Sequence, residues 1–163
     1  MPINEPSYEA MALTHEPETA GAEVTARLAA DFDEFRTASE IAWETFGMTE
    51  DQRRDQEEML PMFFELHRQG LSASYLCLLD GRPVAAALAV FADAAVMLLG
   101  GAVLPEARGR GCYRALVRAR WDDAVSRGTP ALVVQAGAMS QPILERLGFE
   151  RVATMHVLID RFD

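Results

Sequence analysis

The sequence predicts an α/β (α+β) domain: a mixed, mostly antiparallel central sheet of six to seven strands, flanked by about four helices. Three observations predict it. Apolar spacing switches along the chain between the two-residue repeat of strands and the 3.6-residue repeat of helices. Asp80-Gly81 and Asp93 divide three apolar runs in the manner of an antiparallel meander. Residues 98–116, LLGGAVLPEARGRGCYRAL, read as strand, short loop and helix.

Residues 1–21 carry three prolines and one short alternation at 8–14. That alternation reads as an extra strand, placed in this chain's own sheet or swapped into a second copy to make a homodimer. The remainder reads as a tail ahead of a domain at 22–163. Residues 22–28 are its first strand. Asp31 caps a helix over 32–46, with Phe35, Ser39, Ala42, Trp43 and Phe46 near one face and Gly47 as its stop. Thr49-x-x-Gln52 is a capping box for a second helix running to about residue 69, which Gly70 ends. Pro61 inside that helix should kink or split it.

Strands follow at 74–79, 84–91 and 95–104. Gly100 and Gly101 inside the last mark a bulge or a close backbone approach. Pro105 ends it. From Cys112 a third helix buries Leu116, Val117, Trp121, Ala124 and Val125, and Gly128 and Pro130 terminate it. Residues 131–136 are almost wholly apolar, as expected of a strand covered on both faces. Ser140 caps a fourth helix that stops at Gly148, and 152–159 form the last strand.

Composition narrows the functions. A formal charge of −10 argues against nucleic acid, whose phosphates demand a basic face. No apolar run reaches the roughly 18 residues of a membrane span. Glu5 and Glu9 stand where a secretory signal would carry basic residues. The two cysteines, Cys77 and Cys112, suggest a reducing compartment, so a cytoplasmic protein is expected. No metal-ligand spacing appears among His15, His67, His156 and the cysteines, and no metal is expected. All fifteen basic residues are arginine. Residues 31–69 hold eleven acids against four arginines, whereas 106–127 hold six arginines against three acids.

That basic segment contains Arg108-Gly109-Arg110-Gly111. Glycines let backbone N–H groups approach a ligand. The first turn of the following helix leaves N–H groups without internal partners, and its dipole favours an anion. Two guanidinium groups add charge suited to phosphate. The simplest ligand is a phosphate or pyrophosphate.

The arrangement resembles the acyl-CoA motif of the GNAT N-acetyltransferase superfamily, Arg/Gln-x-x-Gly-x-Gly/Ala. Arg108 and Gly111 fit it, and Tyr113 stands where the family usually has Gly or Ala. Val103 and Pro105-Glu106 match the usual approach, and Leu147-Gly148-Phe149 matches the Leu-Gly-Phe that closes the family's fourth helix. The resemblance runs from about residue 22 to the C-terminus. It implies a GNAT-like sheet splayed between the strands at 95–104 and 131–136, the fourth and fifth of the domain, with pantetheine lying between them.

The resemblance also implies the reaction: an amine, small-molecule or peptide, attacks the thioester of acetyl-CoA in a ternary complex. Backbone groups of Ala102, Val103 and Leu104 would bond the pantetheine, with an N–H near Val103 polarising the thioester carbonyl. Arg108, Gly109, Arg110, Gly111, Cys112 and Tyr113 would hold the pyrophosphate, with Gln135 and Ser140 as further cofactor-binding residues. The family's usual proton-donating Tyr is replaced by Leu144, and the Asn often found after the fifth strand by Gly137. Ser140 and Tyr113 are candidate substitutes for the general acid, Glu44 is the candidate base, and water could fill either role. The acidic helices over 31–69 lie where the family admits its acceptor and would attract a cationic amine. A non-catalytic acyl-CoA sensor is the alternative reading, supported by the missing Tyr and Asn. A plain nucleotide-binding domain is disfavoured: there is no Lys for a P-loop and no correctly spaced GxGxxG.

Overall fold

The described residues of the computed structural model, 7–19, 21 and 23–157, form seven strands and four helices. In chain order they are β1 (Ser7–Leu13), β2 (Val24–Leu28), α1 (Phe32–Thr45), α2 (Glu50–Arg68), β3 (Ser72–Leu79), β4 (Arg82–Phe91), β5 (Val96–Val103), α3 (Cys112–Ser126), β6 (Leu132–Ala136), α4 (Gln141–Arg146) and β7 (Glu150–His156). A 3₁₀ turn at Pro105–Ala107 links β5 to the Arg/Gly loop. All the strands join one sheet in the order β2-β3-β4-β5-β6-β1-β7. Every pairing is antiparallel except β5 with β6.

Local chemistry starts and stops these elements where expected. The Asp31 carboxylate accepts from the Glu34 N–H at 3.0 Å. Thr49 and Gln52 make both bonds of the capping box, at 2.9 and 3.3 Å. Asp80 and Gly81 both take positive φ, 52° and 76°, the primed hairpin turn whose twist matches its strands. Pro61 does not split α2, which is continuous from Glu50 to Arg68. Pro61 and Glu57 both lie on the exposed side, so water can reach the Glu57 carbonyl that loses its intrahelical donor.

Two helices cover opposite faces of the sheet. Leu76, Ala86 and Ala102, neighbours across β3, β4 and β5, meet Ala38 and Ile41 of α1. On the other face Tyr75, Cys77, Ala85, Ala87 and Leu98 pack with Leu116, Val117, Trp121 and Ala124 of α3. Helix α2 leans on α1 through Leu60, against Phe35 and Trp43. Each such large side chain removed from water contributes about 1.5–3 kcal/mol. Two residues expected inside are outside: Phe46 and Val125 are 56% and 50% exposed. Phe46 follows the last turn of α1, and Val125 sits one position round α3 from buried Ala124.

The two ends of the sheet also differ from expectation. The expected strand at 22–28 begins at Val24; Ala22 lies outside the described residues. The last strand is Glu150–His156 rather than 152–159, and residues 158 and 159 lie outside the described residues. Strand β6 is covered less fully than its apolar sequence suggests, since Gln135 is exposed. Strand β1 lies between β6 and β7 in its own chain's sheet. All seven residues of β7 are exposed.

Candidate active site

The parallel ladder between β5 and β6 is short. It pairs Val96 with Leu132, Met97 with Val133 and Leu98 with Val134, and stops there. Beyond it β5 runs on to Val103 against β4, while β6 runs on to Ala136 against β1. Two adjacent strands thus part company at the level of Gly100. There β5 carries one extra residue: Ala86 pairs with Ala102 but Leu88 with Leu99. Gly100 takes φ +55°, the left-handed conformation of a bulge residue. Leu104 donates its N–H to the Val84 carbonyl at 2.9 Å. Backbone direction alternates along a strand, so Ala102 and Leu104 face β4 and Val103 faces the gap. Of the three expected backbone contacts, only Val103 presents its amide group there.

Gly101 has a cause that the sequence reading missed. A Cβ built on it would stand 2.6 Å from Cε2 of Tyr113. The Cε2 edge of the Tyr113 ring therefore points at Gly101 from the α3 side, and the glycine makes room for it.

The loop that follows is built from left-handed residues. Gly109 and Gly111 have φ of 74° and 85°, and Gly111 occupies the N-cap of α3 with no side-chain cap. Among the described residues, the N–H groups of Gly109, Gly111, Cys112, Tyr113 and Arg114 have no backbone partner. This is an anion-binding concavity of the kind made by successive backbone amides at a helix start. Arg108 points back to the Val103 carbonyl (Nε to O, 3.5 Å). Arg110 pairs with Glu23 at 3.4 Å, both largely exposed. Cys112 is 1% exposed and faces the core beside Cys77, so only its backbone N–H is offered to a ligand.

The candidate catalytic groups are not gathered in one place. Tyr113 is on the α3 face; burial raises its hydroxyl above the ordinary tyrosine range, and nearby Arg120 opposes that rise. Ser140 precedes α4 and donates to the Gly137 carbonyl at 3.2 Å instead of capping the helix. Gln135 points outward from β6. Glu44 belongs to α1, on the opposite face from Tyr113. It lines an open cleft of about 500 Å³ with Glu40, Trp43, Arg53, Arg54 and Glu57. Arg53 and Arg54 offset much of the carboxylate charge there. Leu144, at the family's usual Tyr position, is completely buried.

One charged residue escaped the sequence reading altogether. Arg120 is 1% exposed. Its Nε donates to the Leu116 carbonyl at 3.0 Å and Nη1 to the Leu88 carbonyl at 3.3 Å. Burial lowers its guanidinium to about 10, against the opposing influence of Tyr113 and Tyr75. The signal was present in the spacing: position 120 shares the stripe of 113, 116, 117 and 124. The general rule that arginine faces water hid it. Among the described residues no three His, Cys, Asp or Glu side chains cluster as a metal site, and no helix is long and apolar enough to cross a membrane.

Comparison with known proteins agrees with this architecture. Residues 14–139 match the acetyltransferase (GNAT) domain family. A GCN5-related N-acetyltransferase from Kribbella flavida superposes with a TM-score of 0.65 at 22% identity, over 93% of this chain. The match spans only 56% of the Kribbella chain. A predicted acetyltransferase with acetyl-CoA from Clostridium acetobutylicum gives a TM-score of 0.65 at 16% identity, over 79% of this chain and 91% of its own. AAC(6')-Iy, in complex with a bisubstrate analog of CoA and acetylneamine, gives 0.60 at 23% identity, over 87% of this chain and 99% of its own. No curated protein sequence matches the chain. The chain belongs to the acetyltransferase (GNAT) domain family.

Proposed function

We propose that this chain transfers an acetyl group from acetyl-CoA to a small-molecule or peptide amine by direct attack in a ternary complex. The observation that carries the reading is the parting of β5 and β6 beside a helix start whose amides have no partners. Pantetheine takes the place of the missing strand contact along Val103. The pyrophosphate sits on the amides of Gly109, Gly111, Cys112 and Tyr113, with Arg108 and Arg110 as counter-charges. The Val103 N–H, free of β4, polarises the thioester carbonyl. Tyr113 is the proton donor to the departing thiolate. Ser140 is the weaker candidate because its hydroxyl is turned to Gly137. The amine's proton goes to water or to Glu44.

Thermal unfolding with acetyl-CoA, free CoA, ATP and NAD tests the cofactor. Ligand at about 100 times its dissociation constant adds roughly 2.7 kcal/mol, a rise of about 5–10 °C for this size. A rise with the two CoA species alone supports the reading, and no rise with acetyl-CoA in a cooperatively unfolding protein rejects it. The buried Leu144 favours one competitor, an acyl-CoA sensor without turnover. Thiol release from acetyl-CoA across a panel of amines separates the two.

A further inference from the structure

On the α3 face, one row of residues across the sheet loses its side-chain volume after its first member, Tyr75. Tyr75 of β3 pairs with Ala87 of β4, and Ala87 stands opposite the bulge formed by Gly100 and Gly101. A methyl group and a hydrogen leave a hollow where two core side chains would ordinarily stand. Two residues of α3, seven positions and so two turns apart, fill it. The Tyr113 ring meets Gly101 by its Cε2 edge, and Arg120 reaches the Leu88 carbonyl beside the bulge. Arginine is a poor filler for an apolar hollow, because a buried cation is costly unless something uses its charge. Its Nη2 is buried with no partner among the described residues.

We propose that Arg120 is a positioning residue for acetyl transfer: it pins the backbone opposite the β5 bulge through Leu88 and stands behind Tyr113 as that hydroxyl delivers its proton. This rests on the reading of Tyr113 as the donor. In the step itself, the amine nitrogen bonds to the acetyl carbonyl carbon, the C–S bond breaks, and sulfur leaves with the electron pair. Tyr113 passes its proton to sulfur. The phenolate left behind is stabilised by the buried guanidinium until solvent reprotonates it, and the surplus proton of the amine goes to water. Burial alone would make Tyr113 a reluctant donor; the Arg120 cation acts in the opposite sense.

The test is a double-mutant cycle on thiol release from acetyl-CoA, using the amine of the panel with the highest rate. Y113F should lower kcat about tenfold, below the roughly hundredfold or more usual for a general acid, because a thiolate leaves readily. R120K should lower kcat about fivefold in the parent and less than about twofold on top of Y113F, since it acts through the missing hydroxyl. KM for acetyl-CoA should not move with R120K. Equal losses from R120K in both backgrounds would mean a structural role and overturn the proposal, leaving Tyr113 as donor. An unchanged kcat in Y113F, or no turnover with any amine, removes the donor reading and the proposal with it. R120Q, which keeps a donor toward Leu88, replaces R120K in the cycle should the latter not fold.

Discussion

Tyr75 of β3 donates its hydroxyl hydrogen to the Asp123 carboxylate of α3 at 2.6 Å, tying the second strand of the sheet to the helix that follows the Arg/Gly loop. Burial, and then this bond to a negative acceptor, raise the Tyr75 hydroxyl well above the ordinary tyrosine range. Asp123 also accepts from Arg127 at 3.0 Å. Y75F should therefore cost about 1–2 kcal/mol, the loss of one bond to a charged acceptor that keeps another partner. Chemical denaturation of Y75F beside the parent checks this; equal stability would mean the bond contributes nothing net.

Adding one methyl group at Gly101 should destabilise by about 1–3 kcal/mol, because it must displace the Tyr113 ring. The cost should largely vanish in a Y113A background. Unfolding midpoints of the two single variants and the double variant measure the coupling. Additive losses would place the strain in the backbone rather than in the ring.

Acid should weaken the fold in two stages. Burial depresses the His67 imidazole below its ordinary 6.5, and its ring nitrogens meet the hydroxyls of Ser72 and Ser74 at 2.7 and 3.0 Å. A depressed histidine supports the neutral form, so its contribution is present above pH 6.5 and declines as pH falls below it. Glu34, bonded by Arg27 and by the Ala30 N–H, is lowered to about 2. Its contribution is full above the ordinary 4.5 and is lost as pH falls towards 2. Solvent reaches this pair, so the second stage should be worth less than about 1 kcal/mol. Stability against pH should lose its first stage in H67Q and its second in E34Q.

Substitution in the Arg/Gly loop should separate binding from chemistry. R108A is expected to raise KM for acetyl-CoA about tenfold, the loss of one charge-assisted contact. Its kcat should stay near the parent value, because Arg108 touches Val103 at the carbonyl and not at the N–H assigned to the thioester. A fall in kcat with constant KM would assign Arg108 to the transfer step.

Both cysteines should be silent to a thiol reagent in the native state. Cys77 and Cys112 are free and 0% and 1% exposed, and burial raises the Cys77 thiol to about 12. Two thiols should react only after unfolding in denaturant. Rapid native reaction would show that the α3–β3 interface opens.

The elements were legible in the sequence because capping and turn chemistry is local. Asp31, Thr49 with Gln52, and Asp80-Gly81 act on neighbours within a few residues, and all behave as read. The Arg/Gly loop was legible for the same reason: its left-handed glycines and free helix amides follow from adjacent residues. What sequence could not supply were relationships made by packing. Gly101 answers to Tyr113, twelve positions later, and Arg120 to a carbonyl on β4; helical spacing puts position 120 on the buried stripe of α3 but names neither partner. Phe46 and Val125 failed in the opposite direction, since apolar spacing cannot tell the edge of a buried stripe from its centre.

The place of β1 has a consequence for assembly on the ribosome. It pairs with β6 on one side and β7 on the other, and its Glu9 accepts from Thr154, 145 positions away. This early strand has no seat until the late strands exist. Glu16, Glu18 and Glu23, which follow it, pair with Arg118, Arg114 and Arg110 of a helix and loop made much later. The segment of β1 must therefore wait unpaired until β6 and β7 have been made, with its alternating apolar residues uncovered.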